Sequence, residues 1–204
     1  MRILVVLTLI FFASISYAHP HMFIDTEMEV RLSGNSFSGV EISWSFDPMF
    51  TAAITSDFDT NRNGQFSREE TAEVFANAFS NLESSDYFTF ISIDGNTYSP
   101  SGIEDFEVFM EDGALVYRFY CPFNKSVASG EFRIAIYDST FYCDILYKEG
   151  NPITLSGNPD ASFTIEQNSD ISISYGGSVS VSREGSNYSG TAFPQQLVVS
   201  FNSN

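Results

Sequence analysis

The spacing of apolar residues changes twice along the chain, and this change constrains the fold more than any other feature of the sequence. From His21 to Phe46 apolar and polar residues alternate on both sides of a turn at 33–36, which predicts two consecutive strands. From Asp47 to about residue 87 the apolar residues follow a helical spacing, and alternation returns from Phe88 onward. We therefore expect a single β-rich domain of the α+β class, antiparallel and sandwich-like, with a helical insertion at about 47–87.

Short alternating runs, separated by Gly, Asn, Asp and Ser, fill the rest of the chain. They predict strands near 114–120, 131–138, 141–147, 161–166, 171–182 and 196–202. The 204 residues include 21 Phe and 10 Tyr, and a chain of this length buries a core of ordinary size. No linker or repeat divides it, so residues 19–204 are expected to form one domain. The Ser- and Asn-rich tail after Gly150 carries no motif that indicates a role.

The N-terminal segment has the pattern of a secretory signal peptide. Arg2 precedes an apolar run from Ile3 to Phe12, and small residues lead to Ala18. The run is shorter than the roughly 20 residues of a membrane-spanning helix, although an uncleaved anchor or a buried strand is the alternative. We expect cleavage of residues 1–18, no membrane insertion afterwards, and a periplasmic or secreted protein that begins at His19.

The chain is strongly acidic, with 26 Asp and Glu against 9 Lys and Arg and a formal charge of −17. Such a charge opposes binding to nucleic acid or anionic lipid, so neither is an expected partner. A cation suits this surface, although acidity can also serve solubility alone.

The most specific motif lies between the two predicted helices. The first helix is expected to begin at Asp47-Pro48, with Asp as N-cap and Pro at the first helical position. The twelve residues Asp59–Glu70 then match a calcium EF-hand loop, with Gly64 at the sixth position, where the turn is sharp. The predicted ligands are Asp59, Asn61, Asn63, Gln65 (through its carbonyl), Ser67 and Glu70. A turn closed only by a Ser67–Glu70 capping box is the alternative.

Calcium affinity in this loop is expected to be low. Only Asp59 and Glu70 bring ligand charge, and Arg62 and Arg68 lie within the loop. Extracellular calcium modules work at about 10⁻⁴–10⁻³ M, and the sequence has no second loop to pair with this one. We therefore expect a structural calcium ion rather than a sensor.

The only two histidines of the sequence, His19 and His21, indicate a second metal site. After cleavage His19 would offer both its α-amine and its imidazole, and in an extended chain the His21 ring would project to the same side. Pro20 has no amide N–H, so metal binding through deprotonated amides is excluded there. With Asp25 as a further donor, the set suits Ni, Co, Zn or Cu. The alternative is a frayed terminus that binds nothing specific.

Four segments together resemble the bacterial family catalogued as domain of unknown function 1007. They are His19-Pro20-His21 with Phe23-Ile24-Asp25, then Trp44-Ser45-Phe46-Asp47, the loop Asp59–Glu70, and Tyr137-Asp138-Ser139-Thr140-Phe141-Tyr142. The resemblance implies the periplasmic component of an uncharacterised transport system, associated in some members with nickel/cobalt-type permeases. A membrane metal permease is therefore an expected partner.

Two cysteines, Cys121 and Cys143, complete the candidate sites. An exported protein with two cysteines usually joins them in an oxidising compartment, so a disulfide is expected. Two free thiols and a soft metal site are the alternatives.

An enzyme is not expected, because no histidine remains to serve as a general base and no hydrolase motif occurs. Copper held by an N-terminal His could support oxidative chemistry, but no substrate surface is indicated. The leading hypothesis is a periplasmic metal-binding protein, accessory to transition-metal transport or delivery, with a structural calcium site. The second hypothesis is a calcium-stabilised β-domain that binds a protein or envelope component, with incidental histidines.

Overall fold

A computed structural model describes residues 20–175 and 190–201 of the chain. Within these ranges thirteen strands and two α-helices follow one another. The strands are β1 Met22–Ser33, β2 Ser36–Phe46, β3 Thr89–Ile93, β4 Asn96–Tyr98, β5 Glu104–Glu111, β6 Ala114–Ser126, β7 Glu131–Ile136, β8 Cys143–Tyr147, β9 Ile153–Ser156, β10 Ser162–Gln167, β11 Ile173–Tyr175, β12 Gly190–Ala192 and β13 Gln195–Ser200. The helices are α1 Pro48–Phe58 and α2 Arg68–Val74.

The first sheet has the strand order β5-β6-β2-β1-β8, with β9 also paired to β1. β1 and β2 form the predicted hairpin, in which Ile24 lies opposite Phe46. β8 and β9, however, both run parallel to β1, so the sheet is mixed and not purely antiparallel. The side chains of β1 alternate as predicted: Ile24 and Met28 are buried, and Asp25 is exposed.

The second sheet is antiparallel and has the order β10-β13-β7-β3-β4. It packs on the first sheet, where the ring of Phe37 in β2 lies 4.8 Å from that of Phe132 in β7. β11 and β12 form a separate two-stranded sheet. The β-dominated α+β class predicted from the sequence is therefore confirmed.

The helical insertion packs on part of the first sheet. Asp47 is the N-cap of α1, as predicted, and its carboxylate accepts hydrogen bonds from the backbone of Met49 and Phe50. The backbone N–H of Leu115 in β6 donates to Thr51 Oγ1 of α1 over 3.1 Å, which ties the helix to the sheet.

The second helical segment is less regular than its apolar spacing predicts. α2 continues as a π-helical turn, Phe75–Phe79, and then as a 3₁₀ segment that is kinked at Ser85. The π-helical turn brings the Phe79 ring to 4.5 Å from that of Phe106 in β5. Aromatic packing on the first sheet therefore accompanies the departure from α-helical geometry.

The later strand predictions largely agree with the structure, but some elements differ. The strand predicted at 171–182 is described only as β11, Ile173–Tyr175, because residues 176–189 lie outside the described ranges. The predicted signal peptide 1–18 and His19 also lie outside them. The sequence patterns indicated alternation from Phe88 onward without bounds for β3, β4 or β5, and they did not predict β9 or β12.

Trp44 joins the first sheet to the insertion and generates a prediction on stability. Its side chain is fully buried and contacts the rings of Phe79, Phe88 and Phe119. Trp44→Ala should lower the free energy of unfolding by about 3–5 kcal/mol in denaturant titrations, because it leaves a large cavity. Trp44→Phe should cost much less, since the indole N–H has no hydrogen-bond partner among the described residues. Equal losses for the two variants would contradict this account of the core.

Candidate metal centres

The loop between α1 and α2 is folded around the side-chain oxygens of its first, third and fifth residues. Asp59 accepts hydrogen bonds from the backbone N–H groups of Asn63, at 3.1 Å, and Gly64, at 2.8 Å. The Asn61 side-chain oxygen accepts from Asn63 N at 3.0 Å, and the Asn63 oxygen accepts from Gln65 N at 2.8 Å. Gly64 has a φ of +74°, a left-handed conformation that glycine adopts without strain. These bonds orient the side-chain oxygens of Asp59, Asn61 and Asn63, the first three predicted donors, into the loop.

Glu70, the last residue of the loop, is held by bonds at both ends of the loop. One carboxylate oxygen accepts from the Thr60 backbone at 2.9 Å, the Thr60 hydroxyl at 2.8 Å and the Asn61 amide at 3.2 Å. The other accepts from Ser67 N at 2.9 Å, and Glu70 N donates to the Ser67 hydroxyl, which completes a capping box. The bond from Ser67 N, followed by those from Thr60, lowers the pKa of Glu70 from 4.5 to about 2. Glu70 is therefore ionised at any physiological pH.

The donors of this loop are all oxygen atoms, which is the set that a hard cation such as calcium takes. No cluster of three or more His, Cys, Asp or Glu side chains suited to a metal occurs within residues 20–175 and 190–201. This agrees with the predicted ligand set of the loop, in which Asp59 and Glu70 are the two acidic ligands and the others are amide, carbonyl or hydroxyl oxygens. The residues present therefore fit a weakly charged calcium site, and the capping box exists alongside them.

His21 lies just before β1, beside a loop that connects β7 and β8. Its backbone N–H donates to the Tyr142 carbonyl over 2.8 Å, and the two rings lie 5.0 Å apart at 33°. The imidazole is thus held against an aromatic ring at the exposed start of the strand. His19, the other predicted nitrogen donor, lies outside the described residues.

Asp25 lies further along β1 than His21, so the strand does not bring these two predicted donors together. Both residues belong to the same face, but they are four positions apart. A strand rises about 3.3 Å per residue, so their Cα atoms are separated by roughly 13 Å. Phe23 lies between them on that face and is more than half exposed. The alternation of side chains along a strand shows which residues lie on the same face. Two residues can bind one metal ion only if they are also close together along the strand.

Asp138 organises the loop beside His21, a role that the sequence analysis missed. This carboxylate is buried and accepts from the backbone and the hydroxyl of Thr140, at 2.8 and 2.7 Å. Its second oxygen accepts from the backbone of Tyr142 and Cys143, both at 3.1 Å. An Asp followed two residues later by Thr in a turn is the signal that would have indicated this arrangement.

The predicted disulfide is contradicted, because Cys121 and Cys143 are both free and buried. Cys121 lies in β6 and Cys143 in β8, with β2 and β1 between these strands. Three strand spacings of about 4.8 Å give a lateral separation of roughly 14 Å, whereas a disulfide needs Cα atoms within about 7 Å. Burial raises the pKa of each thiol to about 12, so neither is a ready thiolate.

The sequence is similar to a family model and to two uncharacterised bacterial proteins. A family model described as "Protein of unknown function (DUF1007)" matches residues 4–201. An uncharacterised 15.5 kDa protein of Spirochaeta aurantia is 27% identical over 120 residues, which are 58% of this chain and 86% of that protein. An uncharacterised protein of Haemophilus influenzae is 25% identical over 192 residues, which are 89% of this chain and 90% of that protein. In the part of the chain that the structure describes, no helix has the length and apolarity needed to cross a membrane.

The separation of the two cysteines generates a direct test. Labelling of the unfolded, non-reduced protein with a maleimide should modify two thiols per chain, one at Cys121 and one at Cys143. The folded protein should react slowly, because both side chains are buried and protonated. Mass spectrometry counts the labels, and an unlabelled denatured chain would contradict the strand order given above.

Proposed function

This chain belongs to the DUF1007 family, and we propose that it is an exported metal-binding protein, accessory to transition-metal transport or delivery, with a structural calcium ion in the loop Asp59–Glu70. The observation that carries the calcium part is the arrangement of Asp59, Asn61 and Asn63, whose oxygens are oriented by backbone N–H groups within the same loop. Preorganised oxygen donors reduce the entropic cost of ordering the loop around a hard cation.

Calcium in this loop would connect α1 to α2. Asp59 follows the last residue of α1, and Glu70 lies in the first turn of α2, so one ion bound to both would fix the angle between the two helices. To coordinate the ion, the Glu70 carboxylate must give up some of the hydrogen bonds that it accepts from Thr60 and Asn61. This exchange, together with a ligand charge of only two carboxylates, supports a weak site suited to a calcium-rich compartment.

The transition-metal part of the proposal rests on the segment before β1. The α-amine and imidazole of His19, together with the imidazole of His21, would form a three-nitrogen site for Ni, Co, Zn or Cu if the chain is cleaved after Ala18. The Tyr142 ring beside His21 and the Asp138-centred loop beneath it support this assignment, because they restrict one of the donors. Asp25 is not included among the ligands. A membrane metal permease is the proposed partner.

A second candidate function, a calcium-stabilised domain that binds a protein or envelope component, is favoured by a separate observation. Four of the most exposed large apolar side chains belong to elements that meet at the start of β1: Phe23 (53% exposed), Met49 (68%), Tyr142 (50%) and Leu146 (45%). Phe23 and Leu146 lie on paired strands, and Asp47 links Phe23 to the first turn of α1, where Met49 lies. Clustered exposed apolar residues are typical of interaction surfaces.

The calcium site predicts a calcium-dependent melting temperature. With calcium at about ten times its dissociation constant, the folded state gains roughly 1.4 kcal/mol, which corresponds to about 3–5 °C for a domain of this size. Glu70→Gln should abolish the gain because it removes the bidentate carboxylate. Glu69→Gln is the matched control: it removes the same charge from an exposed neighbour outside the ligand set and should retain the gain. Identical melting in calcium and in chelator would contradict the site.

The same measurement has a pH dependence with a defined direction. The pKa of Glu70 is lowered to about 2, so the carboxylate stays ionised and the calcium gain should persist from pH 7 to about pH 5. The capping interactions of Glu70 stabilise the fold fully above about pH 4.5, and this contribution should decline as the pH falls toward 2. Glu70→Gln should show a smaller loss of stability over that acid window.

The nitrogen site predicts that the free amine matters as much as either ring. Protein beginning at His19 should bind one equivalent of Ni or Cu(II) in calorimetric titrations. Affinity should fall below about pH 7, because protons compete for imidazoles and amines. One additional alanine before His19 should weaken binding at least tenfold with both histidines untouched. His19→Ala and His21→Ala should also weaken it.

Two variants serve as controls for this titration. Asp25→Asn should leave the affinity unchanged, since Asp25 is too far along β1 to share the ion, and Glu70→Gln should also leave it unchanged. Equal curves for the native and the extended terminus would exclude the amine as a ligand. No binding by either would favour the interaction domain.

A further inference from the structure

The outer face of the second sheet contains a cavity that neither metal centre uses. Its volume is about 540 Å³, within the range of small-molecule sites. It lies over β3, β7 and β13 and is bordered by residues 166–171, which include the end of β10 and the loop after it. Among the described residues, its lining contains no member of the loop 59–70 and no histidine.

The floor of the cavity is shaped by a small residue in the middle of a row of larger ones. Strand pairing places Gln196 of β13 opposite Ala135 of β7, and Ala135 opposite Phe90 of β3. Because the alanine side chain ends at Cβ, the surface of the sheet forms a depression at Ala135, between the Gln196 amide and the Phe90 ring. The sheet register therefore sets the floor of the depression.

One wall of the cavity is aromatic. The rings of Phe90 and Tyr137 are stacked, with centroids 4.5 Å apart and planes inclined by 28°. Both side chains are half-buried and border the cavity. Each ring holds the other in place, so a ligand would meet a rigid apolar surface.

The opposite wall is a fixed network of amides. Gln196 donates to Glu166 over 2.7 Å and accepts from Asn168 over 2.8 Å. The side-chain oxygen of Asn168 in turn accepts from the backbone N–H groups of Asp170 and Ile171, at 2.9 and 3.1 Å. Gln196 and Asn168 are each only 8% exposed. Their donor and acceptor atoms are thus oriented before any ligand binds.

The charges at the cavity disfavour an anionic ligand. Among the described residues the lining has one guanidinium, that of Arg133, which is paired with Glu131 over 2.6 Å, and two carboxylates, those of Glu166 and Asp170. The remaining polar groups include the hydroxyls of Ser92 and Thr97. An anionic ligand would also meet the formal charge of −17 on the whole chain.

We propose that this cavity is a binding site for a neutral saccharide. A sugar ring carries apolar C–H groups on its face and hydroxyls at its edge, each of which both donates and accepts hydrogen bonds. The Phe90–Tyr137 wall matches the face, and the network of Glu166, Gln196 and Asn168 matches the edge. The proposal is independent of metal binding.

The test uses the whole chain labelled with ¹⁵N and titrated with four neutral disaccharides: maltose, cellobiose, lactose and chitobiose. At least one should shift the amide signals of Ala135, Asn168 and Gln196, with a dissociation constant of about 1–10 mM, as expected for a small shallow site. Glucosamine, which is cationic, is the charge control. No shift with any of the four disaccharides, or shifts at these residues with glucosamine alone, would overturn the proposal.

Variants separate the cavity from non-specific contact. Ala135→Leu places a larger side chain in the depression, and Phe90→Ala removes half of the aromatic wall; each should weaken binding at least tenfold. Phe109→Ala removes a partly exposed ring that lies under Arg118 on the first sheet and should leave binding unchanged. Ser92→Ala is a milder cavity variant, and it should weaken binding with no change in fold. Melting curves check folding, and binding by folded Ala135→Leu equal to that of the unmodified protein would also overturn the assignment.

Discussion

One carboxylate, that of Asp47, holds together the point at which β1 begins, β2 ends and α1 begins. One of its oxygens caps α1 through Met49 and Phe50, and the other accepts the backbone N–H of Phe23 over 2.9 Å. The Asp47 N–H donates back to the Phe23 carbonyl over 3.1 Å. Both candidate metal centres are oriented from this point, because His21 lies two residues before Phe23 and the loop 59–70 follows the far end of α1. The Asp47 carboxylate therefore couples the start of α1 to the start of β1.

Features encoded within a few residues could be predicted from the sequence. Asp47-Pro48 indicated the start of α1, the alternation along β1 indicated which side chains face the core, and Ser67 with Glu70 indicated the capping box. In each case the physical cause is a helix cap or the alternation of side chains along a strand. Each acts over four residues or fewer along the chain, so it can be recognised in the sequence.

Features that depend on distant pairing could not be predicted. The disulfide was inferred from the cellular compartment, which carries no information on where β6 and β8 lie in the sheet. Asp25 was assigned from its face without its distance from His21. The bonds of Asp138 are local, but the position of its loop beside His21 depends on docking against the N-terminal segment, more than a hundred positions away. The parallel pairing of β8 with β1 leaves no local pattern, since parallel and antiparallel partners of a half-buried strand alternate alike.

The parallel pairing of β8 and β9 with β1 has a consequence for the order of folding. β1 and β2 can form their hairpin early, but residues 22–31 of β1 gain their second neighbours only from residues 143–156. Closing so large a loop is slow, because its entropy must be lost before the contacts form. Until then one edge of β1 has no backbone partner, and the exposed Phe23 lies on that strand. The last third of the sequence therefore covers the open edge of β1 only late in folding. Folding intermediates that lack this pairing expose a strand edge that can pair with another chain.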